Sequence, residues 1–343
     1  MKSPNSDRRS PITAFRAAWW LRNPHLQTMW GKLGRHLPAV PLRVERWDTA
    51  DGDFVDVHRV VQPLHAAANG PRLVLLHGLE GSPDSHYARG LLRQAYDRGW
   101  AADALVFRSC GAEPNRLARS YHSGETGDLD FVVRRLIVAE PDRALLLAGV
   151  SLGGNVLLKW LGEQSEDVPR AVRAAAAVSV PFDLARSARH IDRGFAKVYQ
   201  ANFLRTLKRK ARDKHARFPG ILTPAEFEAA RNFYEFDHAV TARLHGFTSA
   251  DDYYTRSSSL GFLRRIRVPS LLLSAADDPF LPSDVLGEVR AAAAENAMLR
   301  PELVPHGGHV GFIAGSAPWK PVYYAEERVT AFLEEESRPL RTH

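Results

Sequence analysis

The chain has 343 residues, of which 45% are hydrophobic, enough for one large core with an insertion or for two domains. Its single cysteine, Cys110, excludes an internal disulfide, and without a cluster of Cys and His ligands a structural zinc site is not expected. No apolar run approaches the roughly 20 residues that a membrane-spanning helix needs, and the N-terminus does not resemble a signal peptide. We therefore expect a cytoplasmic protein without a bound metal.

The charge of the chain is unevenly distributed. The 46 Lys and Arg residues outnumber the 39 Asp and Glu residues, and residues 186–217 alone hold eleven basic against two acidic residues. Such a segment is typical of a solvated helical face, and it is also compatible with attraction to anionic lipid headgroups or to an acidic substrate. Few aromatic residues are interleaved with the basic ones and no binding motif accompanies them, so nucleic acid is not an expected partner.

The N-terminal part of the chain begins with an aromatic, basic leader that contains the sequence NPHLQT at 23–28, where Pro24 is expected to interrupt any helix. After the leader, residues 44–61 alternate between apolar and polar around the turn at 51–53. Because Asp-Gly between alternating residues is a strong hairpin signal, this segment predicts two strands at the edge of a sheet.

An apolar strand at 73–76 runs directly into the sequence HGLEGS at 77–82. Many acyl-transfer enzymes place a backbone N–H that faces a developing oxyanion at this position. We assign that donor to Leu79. His77 stands at the end of the strand, where it is expected to brace the loop rather than to act as the base.

The segment 144–160 predicts a strand, a sharp turn and a helix, with the pattern G-x-S-x-G at 149–153. A serine at the apex of such a turn is exposed and strained, and its neighbours must be small because the strand and helix backbones nearly touch. Ser151 is therefore the candidate nucleophile, and the N–H of Leu152 is the candidate second oxyanion donor. An ordinary glycine-rich turn is the alternative.

Strands and helices alternate along the rest of the chain, which predicts an α/β protein with a mostly parallel sheet and crossover helices. The predicted helices are 84–98 and 128–138, and the further predicted strands are 101–107, 174–180 and 270–274.

Nearly ninety residues separate the last two strands, and they are helical in pattern, basic and rich in aromatic residues. We interpret this insertion as a lid that supplies an apolar pocket, although its aromatic residues could instead pack the lid onto the body. The predicted organisation is a leader at 1–40 packed on the core, a core at 41–182 and 257–336, a helical lid at 183–256 and a tail at 337–343.

A serine hydroxyl needs a histidine to accept its proton and a carboxylate to fix the histidine tautomer. Both follow Ser151 in the order acid, then histidine, and each comes after a predicted strand. We assign the acid to Asp278, with Asp277 as the alternative that caps the loop. We assign the base to His309 in preference to His306, since His309 precedes an apolar run at the apex of its loop.

Several motifs together resemble the YheT-like esterase group of α/β-hydrolases, which is related to the eukaryotic ABHD1 and ABHD3 lipases and to yeast medium-chain ester synthases and esterases. The motifs are NPHLQT (23–28), HGLEGS (77–82), EPNRLARSYHSGET (113–126), GVSLGGN (149–155), ADDP (276–279) and HGGHVGF (306–312). The resemblance covers nearly the whole chain. It implies an α/β-hydrolase fold with a helical lid and hydrolysis of carboxylic esters, with medium-chain or glycerolipid esters as candidates.

The leading hypothesis is a serine carboxylesterase that needs no cofactor and forms an acyl-enzyme. The alternative is an acyltransferase or alcohol ester synthase that uses the same intermediate, and a third hypothesis is a lipid-binding protein on a hydrolase scaffold. The sequence leaves open whether the protein is a monomer or a homodimer. The expected partners are a small acyl ester and, through the basic lid, an anionic membrane surface.

Overall fold

The computed structural model describes residues 14–33, 35, 37–62 and 70–337. The predicted tail at 337–343 and the first part of the predicted leader lie largely outside these residues. Within the described part of the chain, no helix is both long enough and apolar enough to span a membrane.

The chain forms a central eight-stranded sheet in the order β1-β2-β4-β3-β5-β6-β7-β8. The strands of this sheet are β1 (Leu42–Asp48), β2 (Phe54–Val60), β3 (Arg72–Leu76), β4 (Ala101–Val106), β5 (Leu145–Val150), β6 (Val172–Val178), β7 (Ser270–Ala275) and β8 (Leu299–Val304). The first two strands form the predicted hairpin, and β2 runs antiparallel to β4. All other neighbouring pairs are parallel, as the alternation of strands and helices predicted.

Helices cover both faces of the sheet because the central strands are apolar on both faces. On β3, Leu73 and Leu75 face one core and Val74 and Leu76 face the other. One face packs on α3 (Gly127–Ala139), α4 (Leu152–Gln164) and α11 (Val285–Glu295), and the other face packs on α2 (His86–Asp97) and α12 (Tyr324–Glu336). The predicted fold class, a mostly parallel sheet between two helical layers, is confirmed.

Six α-helices lie between β6 and β7, and we call residues 184–257 the helical insertion. These helices are α5 (Leu184–Ile191), α6 (Ala196–Arg217), α7 (Pro224–Ala229), α8 (Phe233–Phe236), α9 (Ala242–His245) and α10 (Ala250–Ser257). The insertion has a small apolar core of its own around Leu204, Phe227 and Phe236. Its longest helix, α6, is joined to the body of the protein because the buried amine of Lys214 donates to Asn115 Oδ1 at 2.6 Å.

Two further elements lie near the N-terminal segment. A helix, α1, spans Pro24–Leu33, and a small hairpin consists of β9 (Ile313–Ala317) and β10 (Lys320–Tyr323). The expectation that Pro24 interrupts a helix is wrong, because this proline opens α1. A proline is tolerated in the first turn of a helix, where its missing N–H would have no acceptor. The side chain of Asn23 caps the same turn by accepting from the N–H groups of His25 and Leu26.

Candidate active site

Ser151 stands between β5 and α4 in a conformation that L-residues rarely adopt, with φ 54° and ψ −120°. The glycines on either side are required by close backbone contact. A Cβ on Gly149 would lie 2.4 Å from the carbonyl oxygen of Gly153, and a Cβ on Gly153 would lie 2.5 Å from that of Leu76. The segment therefore has the strand, strained turn and helix of a nucleophile elbow.

His309 connects the serine to a carboxylate. Its Nε2 lies 3.0 Å from Ser151 Oγ, and its Nδ1 lies 2.8 Å from Asp278 Oδ2. The imidazole and the carboxylate are almost completely buried, and the ring of Phe280 stacks on the imidazole with 4.2 Å between ring centroids. With the Nδ1 proton donated to the carboxylate, Nε2 is left to accept the hydroxyl proton of the serine.

The alternative acid and base form a separate pair. Asp277 accepts hydrogen bonds from the N–H of Gly308 at 3.0 Å and from His306 Nδ1 at 3.1 Å. The His306 side chain is 61% exposed, so this imidazole faces solvent rather than the serine. Of the four candidates, the structure thus brings Asp278 and His309 to Ser151, and Asp277 ties down the loop that carries His309.

The loop after β3 approaches the elbow closely, since a Cβ on Gly78 would lie 3.3 Å from Ser151 Cβ. The N–H groups before and after Leu79 are already used: that of Gly78 donates to Tyr87 Oη and that of Glu80 donates to Tyr121 Oη. The N–H of Leu79 lies between them in the chain.

Leu152, the other predicted donor, is the first residue of α4, where a helical N–H has no acceptor within the helix. Leu79 and Leu152 line the same cavity as Ser151. Both predicted donors are therefore next to the serine, one of them at the positive end of a helix dipole.

His77 braces this loop. Its Nε2 accepts from the N–H of Phe107 at 3.1 Å, and its Nδ1 donates to the carbonyl oxygen of Gly78 at 2.8 Å. Burial lowers the pKa of His77 to about 4, so the ring is neutral at physiological pH. Both nitrogens are occupied by backbone groups, which agrees with the bracing role expected from the sequence.

The sequence did not predict an ion pair that lies next to the site, between Lys210 and Glu80. Lys210 on α6 donates to Glu80 Oε1 at 2.5 Å, and Tyr121 Oη donates to the same oxygen at 2.8 Å. Glu80 has a φ of 53°, so these contacts hold a strained residue directly after Leu79. Because Lys210 and Glu80 are 130 positions apart in the chain, the local sequence pattern could not predict that they pair.

The serine opens into a cavity of about 630 Å³, a volume typical of a small-molecule site. The part formed by the helical insertion is mainly apolar, and it is lined by Leu184, Ile191, Phe203, Leu207, Phe233, Phe236, Val240 and Leu244. Asp237 and Tyr254 add polar groups to this wall. The part between α1 and α2 is charged, and it is lined by Lys32, Arg35, Asp84 and Arg89.

Within the described ranges, no group of three or more His, Cys, Asp or Glu side chains is arranged to hold a metal ion. Cys110 is not part of such a group. Its thiol lies 3.4 Å from the Lys210 amine, and burial raises its pKa to about 11.

Comparison with known proteins gives consistent results. The family model for the α/β-hydrolase fold matches residues 71–316. YheT of Escherichia coli (strain K12) is 40% identical over 321 residues, which are 92% of each chain. Phospholipase ABHD3 of Mus musculus is 30% identical over 292 residues, covering 83% of this chain and 70% of that protein.

Among solved structures, the esterase Pf2001 of Pyrococcus furiosus superposes with a TM-score of 0.57 at 16% identity, over 89% of this chain and 96% of that one. At this level of identity the likeness concerns the fold alone.

Proposed function

This chain belongs to the α/β-hydrolase family, in its YheT-like group, whose relatives include esterases and lipases, and on that basis we propose that it is a serine carboxylesterase. The observation that carries the proposal is the hydrogen-bonded series from Ser151 through His309 to Asp278, in which the serine and the histidine line the cavity. A serine with this arrangement is activated as a nucleophile toward an acyl carbon.

In the proposed reaction, Ser151 Oγ attacks the ester carbonyl while His309 Nε2 accepts the hydroxyl proton. The N–H groups of Leu79 and Leu152 stabilise the negative charge that develops on the carbonyl oxygen. His309 then returns the proton to the departing alcohol, which leaves an acyl group on the serine. A water molecule, deprotonated by the same imidazole, attacks the acyl-enzyme. The bond between the acyl carbon and Ser151 Oγ then breaks, His309 returns the proton to Ser151 Oγ, and the acid is released. Asp278 fixes the tautomer and stabilises the imidazolium during both steps.

The cavity supports an acyl ester as the substrate class. The apolar wall of the helical insertion suits an acyl chain, and the charged wall between α1 and α2 suits a polar alcohol portion. Medium-chain and glycerolipid esters, which the family resemblance implies, are the proposed candidates. In this account the helical insertion acts as the lid.

The test is hydrolysis of p-nitrophenyl acyl esters by matched pairs of variants. Ser151→Ala, His309→Ala and Asp278→Asn should each lower kcat by about a hundredfold or more. His306→Ala and Asp277→Asn should lower kcat by a much smaller factor, because these side chains hold the loop without contacting the serine. Full activity of purified Ser151→Ala would refute the proposal, and equal losses at both histidines would refute the assignment of His309 as the base.

The acyltransferase alternative shares the acyl-enzyme and differs in whether water or an alcohol attacks it. Product analysis with added ethanol or glycerol separates the two: free acid as the main product supports the esterase, and a new ester as the main product supports the transferase. A lipid-binding protein without catalysis would give neither product.

We also propose that the protein contacts anionic membrane surfaces. At the start of α6, Phe195 is 59% exposed and Val198 is 57% exposed. The exposed cations of the basic segment lie on the same helix and just before it. Arg212 is ion-paired with Glu228, and the others are Arg189, Arg193, Lys197, Arg205, Arg209 and Arg217. Exposed apolar side chains among cations match the chemistry of an anionic lipid interface.

A further inference from the structure

Helix α1 lies against the loop 307–312, which carries His309. A Cβ on Gly308 would lie 2.5 Å from the carbonyl oxygen of Pro24, and a Cβ on Gly311 would lie 2.6 Å from that of Gln27. These distances leave no room for a side chain, so the helix and the loop are in direct backbone contact at two points.

The hydroxyl of Thr28 joins the helix to the histidine. It accepts a hydrogen bond from the N–H of His309 at 2.9 Å and donates one to the carbonyl oxygen of Pro24 at 2.7 Å. Thr28 is 6% exposed, so water cannot readily replace the hydroxyl. A buried N–H that loses its acceptor costs free energy, which ties the backbone of His309 to this position.

The side chain of Gln27 holds the far end of the loop. It is completely buried, and its Oε1 accepts from the N–H of Ile313 at 2.7 Å. Its Nε2 donates to the carbonyl oxygens of Ile313 at 3.0 Å and of Leu21 at 2.8 Å. Gln27 therefore pairs with both backbone groups of Ile313, as a neighbouring strand would.

The loop needs such support because its backbone is strained. Val310 has a φ of 57° and Phe312 has a φ of 47°, and bulky residues rarely adopt positive φ values. Conformations of this kind persist only where the surrounding structure fixes them. On the side of the sheet, Ser179 Oγ accepts from the N–H of Val310 at 3.0 Å, and α1 supplies the contacts on the other side.

We propose that α1 is a positioning element for catalysis, in which Thr28 and Gln27 set the place of the His309 imidazole relative to Ser151 Oγ. Both residues act through the backbone that carries the imidazole. The inference rests on the proposed esterase function. It gives a physical role to the motif NPHLQT: Asn23 and Pro24 begin the helix, and Gln27 and Thr28 hold the histidine loop.

The test compares Thr28→Val with Thr28→Ser and with a matched threonine elsewhere. Thr28→Val keeps the shape and removes the acceptor of the His309 N–H, so kcat for a p-nitrophenyl ester should fall about tenfold to a hundredfold with KM changed less than about threefold. Thr28→Ser keeps the hydroxyl and should restore most of kcat. Thr330 on α12 is equally buried and donates the same kind of bond, to the carbonyl oxygen four residues earlier, away from the site. Thr330→Val should lower Tm and leave kcat unchanged.

The outcomes are distinguishable from those of the proposed function. If the wild-type protein hydrolyses no ester, the esterase proposal fails and the inference fails with it. If the wild type is active and, per folded molecule, Thr28→Val has the same kcat as Thr330→Val, the positioning role is overturned while the esterase proposal stands. If Thr28→Val does not fold, Thr28→Ala, which also removes the hydroxyl, replaces it in the same comparison, with the same expected loss and the same contradicting result.

Discussion

Asp237 is a half-buried residue in the wall of the cavity, and its carboxylate oxygens accept from Thr241 Oγ1 at 2.6 Å and from Tyr254 Oη at 2.7 Å. Burial raises its pKa from 3.8 to about 6. Because the folded protein holds this proton more tightly than the unfolded chain, the group lowers stability increasingly as pH rises from about 4 to about 6, and the full penalty remains above that range.

We therefore predict that Asp237→Asn raises the free energy of unfolding at pH 8 by about 1–3 kcal/mol and has little effect below about pH 4. Guanidinium unfolding of both proteins at the two pH values measures this difference. A stabilisation that is the same at both pH values, or a loss of stability at pH 8, would contradict the burial of a charged carboxylate.

Lys210 should matter for catalysis through Glu80, which directly follows Leu79 in the oxyanion loop. Lys210→Met removes the ion pair at 2.5 Å, so the strained Glu80 loses a contact that holds it. We expect the N–H of the preceding residue, Leu79, to be less well oriented as a result. We predict a fall in kcat of about tenfold, less than that from deleting an oxyanion donor. Lys208→Met is the matched control on the same helix, because Lys208 donates to the exposed Glu228 backbone. Equal kcat values for the two variants would disprove the link.

At the scale of single residues, the sequence predicted those site residues that come directly after a strand. Ser151, Asp278 and His309 stand after β5, β7 and β8, and the carboxyl ends of parallel strands share one edge of the sheet. Lys210 and Asp237 gave no such signal. Their surroundings come from helices packed over that edge, and no local pattern indicates where a long helix places a side chain.

Among the elements, helix α6 forms one wall of the proposed acyl pocket with Phe203 and Leu207. Leu207→Trp should fill part of this space, so the ratio of kcat/KM for long-chain to short-chain p-nitrophenyl esters should fall at least about tenfold. Val198→Trp on the exposed side of the same helix serves as the control and should keep the wild-type ratio. An unchanged ratio in Leu207→Trp would place the acyl chain elsewhere.

The elements of the central sheet were predictable because apolar strands and amphipathic helices alternate with short connections. Among the elements that were not predicted are helix α1 and the hairpin of β9 and β10. Helix α1 begins at Pro24, which reads locally as an interruption, and its place is set by contacts with residues almost 290 positions away. The hairpin of β9 and β10 is short, contains Gly315, and has a register irregularity, so it lacks the alternation that marks a strand.

For the whole molecule, the cations of the basic segment differ in their surroundings. Within the basic segment, Lys210 and Lys214 face the protein, and Arg186 and Arg212 form ion pairs. The remaining exposed cations lie along α6 and just before it, and of these Arg193 and Lys197 are close to Phe195 and Val198 in the chain. The composition predicted the excess charge, and it could not separate the inward-facing lysines from the exposed arginines, because that depends on how α6 packs.

If this surface contacts anionic membranes, binding to vesicles that contain phosphatidylserine should weaken as salt is raised. Arg193→Glu combined with Lys197→Glu should weaken it further, whereas Arg43→Glu at the far edge of the sheet, also exposed, should not. Co-sedimentation with vesicles measures both effects. Equal binding to neutral vesicles, or no effect of the double variant, would contradict the proposed surface.

The proposed reaction depends on a covalent bond between Ser151 and the acyl group. Fluorophosphonate labelling of the whole chain, followed by intact-mass and peptide analysis, tests whether Ser151 is reactive enough to form it. An activated serine reacts with such a probe, whereas an ordinary serine does not. We predict one adduct per chain, located on Ser151, absent in Ser151→Ala and formed much more slowly in His309→Ala. An unlabelled wild-type protein, or an adduct that persists in Ser151→Ala, would refute Ser151 as the nucleophile.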